Sequence, residues 1–138
     1  MRQLSDIVRD QHPLTLPPSA TVKQACQKMS DRHLGAVLVI EKHGRLIGIF
    51  TGRDAVCRVL AAGKSPAKTR LGDVMTSSPV TMSPDRTVIE ALRLMWDGGF
   101  RHVPVTQDDK LVGVVSRGDF KGLEQSRLEE ERDLWERL

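Results

Sequence analysis

The chain is poor in aromatic residues: they make up 4% of its 138 residues, and tyrosine is absent. A hydrophobic core built from this sequence must therefore be aliphatic. Proteins that bind single-stranded nucleic acid stack the bases on exposed aromatic rings. The shortage of rings argues against that class of protein.

Cysteine is also scarce, since only Cys26 and Cys57 occur. They form no C-x-x-C pair, and no histidine lies at metal-ligand spacing from either of them, so we expect no structural zinc or other metal site. Two such cysteines fit a reducing, cytoplasmic setting better than a disulfide scaffold.

Long hydrophobic runs and charge clusters are missing too. Residues 1–8 contain no apolar segment of the signal-peptide type, and no run approaches the ~20 apolar residues that cross a bilayer, so no membrane partner is expected. The net charge is +3 and the charges are scattered. This mild basic bias favours anionic small molecules. Without a clustered basic stripe, nucleic-acid binding is the least favoured function.

What the chain does contain is one unit that occurs twice. Residues 13–29 align without a gap with residues 79–95, an offset of 66 (13 to 79). Further on, the offset becomes 65 (48 to 113). A repeat of this length indicates two similar structural units. The identical pairs are Pro13/Pro79, Thr15/Thr81, Pro18/Pro84, Thr21/Thr87, Val22/Val88, Ala25/Ala91, Met29/Met95, Gly48/Gly113 and Asp54/Asp119.

Both units predict the same elements. Thr21 and Thr87 are candidate N-caps, and each precedes apolar residues at i, i+3, i+4 and i+7, which indicate a helix with one buried face. Cys26 aligns with Leu92, so we interpret it as a small core residue rather than a reactive thiol. Each helix is followed by an antiparallel hairpin. The predicted strands are residues 35–40 with 46–50, and residues 103–106 with 111–115; second helices are predicted over 54–62 and from 119 onward.

These elements suggest domain boundaries. The polar segment 61–70 contains glycine and proline and is interpreted as a linker, which places repeat 1 at residues 1–64 and repeat 2 at residues 65–124. Residues 125–138 alternate in charge and predict a helix with a narrow apolar seam that includes Leu128, Trp135 and Leu138. This helix is either solvated or packs on a second subunit through Trp135.

Each second strand ends in the same pattern, a glycine, two apolar residues, a hydroxyl residue and, three positions later, an aspartate. The hydroxyl–carboxylate pairs are Thr51 with Asp54 and Ser116 with Asp119. Such a carboxylate can accept hydrogen bonds from both hydroxyls of a ribose, and the backbone N–H groups at a helix start favour a phosphate. The alternative is structural: each aspartate caps its helix and each hydroxyl satisfies the turn.

With this duplicated motif, the Pro-apolar-Thr segments and the strand 103–105, residues 1–124 resemble the cystathionine-β-synthase (CBS) domain family. The whole chain resembles a stand-alone bacterial or archaeal tandem pair, called a Bateman module. The resemblance implies an α/β (α+β) fold of two β-α-β-β-α repeats, packed sheet to sheet with pseudo-two-fold symmetry. It also implies two clefts for AMP, ADP, ATP or S-adenosylmethionine, pairing into homodimers, and regulation or signal transduction rather than catalysis.

The resemblance further suggests which residues bind the ligand. By family position, Arg101 and His102 are candidate phosphate contacts, and residues 34–37 of the first repeat offer no equivalent cation. Arg53 and Arg117 neighbour the two aspartates and are either phosphate contacts or solvated residues. Thr15, Thr81 and the backbone around Val37 and Val103 are candidate adenine contacts.

We find no catalytic constellation in the sequence. Residues 62–65 are similar to the end of a phosphate-binding loop, but Arg58 occupies the position of its first glycine. Serine-hydrolase and zinc-protease motifs are absent from the sequence as well. The leading hypothesis is a non-enzymatic module that senses an adenosine ligand and signals to an unknown partner protein. The alternative is a ligand-free interaction or dimerisation scaffold.

Overall fold

The computed structural model describes residues 2–120, which form two compact units. The first-repeat unit contains residues 12–80 and 108–111, and the second-repeat unit contains residues 2–11, 81–107 and 112–120. Each combines helices with a sheet, which confirms the predicted mixed α/β class. The helix predicted over 125–138, with Leu128, Trp135 and Leu138, lies outside the described residues.

The elements follow one another in the predicted order. The helices are α1 (Leu4–Val8), α2 (Val22–Arg32), α3 (Gly52–Asp54), α4 (Leu71–Val74) and α5 (Val88–Gly98). The strands are β1 (Thr15–Leu16), β2 (Ala36–Ile40), β3 (Leu46–Thr51), β4 (Thr76–Ser77), β5 (His102–Gln107) and β6 (Lys110–Ser116). Short 3₁₀ turns cover Lys42–Gly44 and Arg117–Asp119, and Ala55–Leu60 is a π-helix that continues α3.

The first-repeat unit is built on a four-stranded sheet in the order β1-β2-β3-β4. Strands β2 and β3 form the predicted antiparallel hairpin, while β1 runs parallel to β2. The hairpin register pairs Ala36 with Thr51, so the motif's hydroxyl residue lies at the end of the sheet. Phe50 is fully buried in an otherwise aliphatic core, as the composition predicted.

The long helices α2 and α5 begin where the sequence predicted. Thr21 Oγ1 accepts a hydrogen bond from the backbone N–H of Gln24 at 3.1 Å, and Thr87 Oγ1 accepts one from Glu90 at 3.2 Å. The predicted apolar faces are buried: Val22, Ala25, Met29, Val88, Ala91, Leu92 and Met95. Cys26 is half-buried against the same core, and burial raises the pKa of its thiol, as expected for a packing residue.

Among the described residues, the sheet of the second-repeat unit is smaller and consists of β5 paired with β6. Asp108 and Asp109 join them with positive φ angles of 54° and 65°, typical of a two-residue hairpin turn. The segment equivalent to β1 forms a single parallel bridge, Met82 to Val105. Leu38 of the first repeat donates its N–H to Leu14, whereas the aligned Pro104 has no N–H to donate.

The compact units do not follow the sequence repeats. Helix α1 belongs to repeat 1 in sequence but lies in the second-repeat unit, where the Leu4 N–H donates to Arg86 O at 2.8 Å. Helix α4 lies in the first-repeat unit, where the Leu71 N–H donates to Ala20 O at 2.8 Å. Both leucines are fully buried. Each core is thus completed by a short helix from outside the β-α-β-β segment that forms most of it.

The glycine inside each repeated motif makes room for these crossing segments. A Cβ on Gly113 would lie 2.6 Å from the Cβ of Val8, the last residue of α1. A Cβ on Gly48 would collide with the Sδ of Met75, which directly follows α4. The absence of a side chain is therefore a packing requirement at Gly113, whereas at Gly48 a side chain would have to displace the flexible thioether of Met75.

The second helix of repeat 1 differs from the prediction of 54–62. It begins two residues earlier, at Gly52, because Thr51 caps it, and it continues as a π-helix in which the Ala61 N–H donates to Val56 O at 2.8 Å. In repeat 2 the corresponding start is the 3₁₀ turn Arg117–Asp119, at the edge of the described chain. Across residues 2–120, no helix has the length and hydropathy needed to cross a bilayer.

Candidate functional site

The second-repeat corner consists of Ser116 and Asp119 at the end of β6. Asp119 Oδ2 accepts hydrogen bonds from the Ser116 N–H at 2.7 Å and the Ser116 hydroxyl at 3.2 Å. Among residues 2–120, no group donates to the other oxygen, Oδ1. The carboxylate is therefore held in one orientation through one oxygen, and Oδ1 keeps its capacity to accept hydrogen bonds.

The first-repeat corner, Thr51 and Asp54, has the same internal geometry. Asp54 Oδ2 accepts from the Thr51 N–H at 2.9 Å and the Thr51 hydroxyl at 3.2 Å. Its second oxygen is engaged, because Oδ1 lies 3.5 Å from Nε of Arg58. Both aspartates thus cap their turns, as the structural alternative predicted, but only Asp119 keeps one oxygen unengaged within the described chain.

His102 begins β5 and lies close to the second-repeat corner. Burial lowers the pKa of its imidazole, the charge of Asp119 opposes that shift, and the charge of Arg101 adds to it. The backbone also joins these residues, because the Arg117 N–H donates to Arg101 O at 3.2 Å. His102 is thus near enough to feel the charge of Asp119, and the backbone of Arg101 pairs with Arg117, two residues before Asp119.

Arg117 has a structural role that the sequence did not indicate. Its Nη2 donates to the carbonyl of Met95 at 3.2 Å, near the C-terminus of α5, and its guanidinium lies 5.1 Å from the centre of the Trp96 ring. A cation at a helix C-terminus stabilises the helix dipole and its unpaired carbonyls. This position favours an anchor for α5 over the predicted phosphate contact.

The remaining candidates differ in accessibility. Arg53 is exposed and makes no hydrogen bond or ion pair to any described residue, whereas Thr15 is half-buried and pairs with Leu38. Thr81 is exposed. Val37 and Val103 are fully buried, backbone and side chain alike.

The family assignment follows from the repeat. The family model for the CBS domain matches the chain twice, over residues 4–60 and 71–124. The chain belongs to the CBS domain family. The match covers both repeats and both corners, and the tandem CBS pair that the sequence resembled is confirmed.

Relatives of this CBS pair occur in plants and bacteria. It is 36% identical over 102 residues to the CBS domain-containing protein CBSCBSPB3 of Arabidopsis thaliana, a stretch that covers 74% of this chain but 18% of that protein. The chain thus spans less than a fifth of that relative. It is 41% identical over 106 residues to the uncharacterized protein YlbB of Bacillus subtilis, covering 76% of this chain and 71% of YlbB.

Solved CBS structures share the fold. A CBS domain protein from Pyrobaculum aerophilum, complexed with AMP, matches with a TM-score of 0.82, covering 94% of this chain and 99% of its own. Its sequence identity is 22%, so this likeness concerns the fold.

The contacts of two residues with the CBS corners were missed by sequence reasoning. Arg58 follows Asp54 by four residues, a spacing that places both on one helix face and could have revealed the ion pair. Arg2 donates through Nη2 to the backbone carbonyl of Asp119 at 3.2 Å, and nothing in the sequence connects these two positions. Within the described residues, no cluster of histidine, cysteine and carboxylate side chains could hold a metal ion.

Proposed function

We propose that this CBS pair is a non-catalytic regulatory module that binds an adenosine ligand at the second-repeat corner. The observation that carries the proposal is the state of Asp119, whose Oδ2 is fixed by Ser116 while Oδ1 lacks a donor among residues 2–120. A fixed carboxylate with an unengaged oxygen can accept hydrogen bonds from a ribose diol without first losing a contact.

The surroundings of Asp119 support a phosphate on the same ligand. Arg101 is exposed, and a guanidinium can engage phosphate through two parallel hydrogen bonds. His102 is half-buried beside Asp119, and a bound phosphate would stabilise its protonated form. These features support Asp119 as the ribose acceptor and Arg101 and His102 as the phosphate donors of one site.

The first-repeat corner supports ligand binding less strongly. Asp54 is already paired with Arg58, and the segment 34–37 has no cation that matches Arg101. We therefore assign the tighter site to the second repeat and a weaker site to the first.

The family supports an adenine nucleotide in particular. The Pyrobaculum protein with the same fold carries AMP, and AMP, ADP and ATP would each supply the ribose and phosphate that the corner suits. S-adenosylmethionine supplies the ribose without a phosphate. If Arg101 and His102 contact phosphate, the three nucleotides bind more tightly than S-adenosylmethionine.

Isothermal titration calorimetry of the wild-type protein with these four ligands tests the proposal. We expect saturable binding of at least one nucleotide, and weaker binding of S-adenosylmethionine. Failure to bind any of the four would leave the scaffold hypothesis as the better account. Regulation then requires that the ligand bind one of two conformations of the protein more tightly. A ligand with equal affinity for both does not change their populations.

A second function, self-association, is favoured by a separate observation. Val56 and Leu60 lie four residues apart on the π-helix, and the two residues are 57% and 65% exposed. We propose that this apolar pair contributes to a homodimer. Analytical ultracentrifugation of the double variant Val56→Ser, Leu60→Ser should then show a monomer where wild type shows a dimer. A wild-type monomer at every concentration would refute this.

A further inference from the structure

Arg58 is bound at both ends of its guanidinium to the first-repeat unit. Its Nε lies 3.5 Å from Asp54 Oδ1, and its Nη1 donates to the carbonyl of Met75 at 3.1 Å. The side chain of Asp54 is 14% exposed and that of Arg58 is 50% exposed. The contact with Met75 holds the guanidinium beside the one carboxylate oxygen that Thr51 leaves available.

The second repeat has no counterpart to this arginine. Four residues after Asp119 the sequence places Leu123, where the first repeat has Arg58 four residues after Asp54. An aspartate and an arginine at this spacing are neighbours on a helix surface. The two corners share the same internal hydrogen bonds, and within residues 2–120 they differ at the oxygen that a ribose would use.

We propose that Arg58 is a specificity-determining residue that acts as an internal competitor for the ribose-binding carboxylate of the first repeat. This inference rests on the proposed function. A ribose that donates its hydroxyls to Asp54 Oδ1 must displace the guanidinium and break that ion pair. The ion pair therefore lowers the ribose affinity of the first-repeat corner, whereas within residues 2–120 the second-repeat corner has no such ion pair.

The size of the effect follows from the exposure of the pair. An exposed or partly exposed ion pair between single side chains is weak, so its removal should raise affinity by about two- to fivefold. Salt screens such a pair. The affinity of the first-repeat corner for an uncharged ribose ligand should therefore rise with ionic strength, which is opposite to the behaviour of a site that binds an anion.

Adenosine is a suitable probe because it carries the ribose but no charge. In the Asp119→Asn background, which leaves the first-repeat corner as the intact one, adenosine is titrated by calorimetry at low and high salt. We expect Arg58→Gln to bind about two- to fivefold more tightly than the background protein. We also expect salt to strengthen binding in the background protein but not in Arg58→Gln.

A matched control is available in the same unit. Arg45 forms an ion pair of the same spacing with Glu41, at 3.6 Å, away from Asp54 in sequence, and Arg45→Gln should leave adenosine binding and its salt dependence unchanged. Because Arg58 also contacts Met75, thermal denaturation is recorded for each variant. If Arg58→Gln fails to fold, the salt dependence of adenosine binding by the background protein tests the inference on its own.

Three results would overturn the inference: unchanged or weaker adenosine binding in Arg58→Gln, no binding in either protein, or a background affinity that is independent of salt. These differ from failure of the proposed function, which would appear as absence of AMP and adenosine binding in the protein with Asp119 intact.

Discussion

Asp54 and Asp119 occupy the same position of one repeated motif, yet their second carboxylate oxygens have different surroundings. In both corners Oδ2 closes the turn by accepting from the hydroxyl residue three positions earlier. Arg58 then engages the remaining oxygen of Asp54, whereas that of Asp119 has no donor within residues 2–120. A structural role and a ligand-binding role can thus belong to one carboxylate, since each uses a different oxygen.

The glycine of the motif gives a stability prediction at the residue scale. Gly113→Ala should lower the free energy of unfolding by about 1–3 kcal/mol, because the new Cβ would lie 2.6 Å from Val8 Cβ and 2.8 Å from Gln11 Oε1. The β-branched Val8 cannot move its Cβ without moving α1. Urea denaturation monitored by circular dichroism measures the change.

Gly118→Ala is the matched control, since the nearest atom to its new Cβ would be Ser116 Oγ at 3.8 Å. We expect this variant to be as stable as wild type or slightly more stable. Gly48→Ala should cost less than Gly113→Ala, because the thioether chain of Met75 can move aside. Equal stability of the Gly113 and Gly118 variants would contradict this packing account.

His102 gives a prediction about pH. Its pKa in the folded protein is lowered below the ordinary value of 6.5, chiefly by burial, with Asp119 opposing and Arg101 reinforcing the shift. The unfolded chain therefore binds the proton more readily. This contribution to stability is fully present above pH 6.5 and is lost as the pH falls through 6.5 and then through the lowered pKa of the folded protein.

Urea denaturation at a series of pH values between 7.5 and 5 compares wild type with His102→Gln. As the pH falls, the unfolding free energy of wild type should decrease relative to that of His102→Gln. Parallel pH profiles would show that the burial of His102 does not disfavour its protonated form.

At the scale of elements, the two units differ in what pairs with the backbone of the second hairpin strand. In the first-repeat unit, β4 pairs with β3, with Thr76 opposite Ile49. The aligned residue of the second-repeat unit, Val114, is instead paired by a side chain: Gln11 Nε2 donates to its carbonyl at 2.9 Å, and Gln11 Oε1 accepts from its N–H at 2.9 Å. One amide side chain therefore takes the place of a strand.

Removal of that amide should destabilise the second-repeat unit. Gln11→Ala leaves the part-buried N–H and carbonyl of Val114 without these partners, and we expect a loss of about 1–2 kcal/mol in unfolding free energy. Hydrogen exchange of the Val114 amide should also become faster. Gln107→Ala, at an exposed position, is the control and should change neither quantity. Unaltered Val114 exchange in Gln11→Ala would contradict the edge-pairing role.

Local pattern predicted the elements well where a single periodicity or cap controls them. Thr21 and Thr87 could be identified as caps because the bond they accept lies three residues away. The π-helical continuation of α3 was not predicted, since an i to i+5 bond leaves little trace in the hydrophobic pattern of a six-residue segment. Gln11 was not predicted either, because its partner lies 103 residues away in the chain.

At the scale of the whole molecule, the duplication was evident from the sequence. Which segments of the chain make up each compact unit was not. Seventeen aligned positions without a gap, residues 13–29 with 79–95, showed that one fold occurs twice. A five-residue helix such as α1 carries too little pattern to indicate which repeat it joins. The corner residues could be predicted because they form a local motif, whereas Arg2 approaches Asp119 only through the fold.

The same long-range packing brings the N-terminal segment to the second-repeat corner. The N-terminal segment contacts the second-repeat corner through Arg2 and supports β6 through Val8 and Gln11. A ligand at Asp119 would therefore act beside a segment that is distant in sequence.

The most direct test of the central claim is calorimetric titration of AMP into two isosteric variants, Asp119→Asn and Asp97→Asn. Both remove one negative charge from the second-repeat unit, and Asp97 is exposed near the end of α5. We predict that Asp97→Asn binds AMP as wild type does and that Asp119→Asn loses at least tenfold in affinity, the ~1.4 kcal/mol of a charged hydrogen bond. Equal AMP affinity in the two variants would contradict the assignment of Asp119 as the ribose-binding carboxylate.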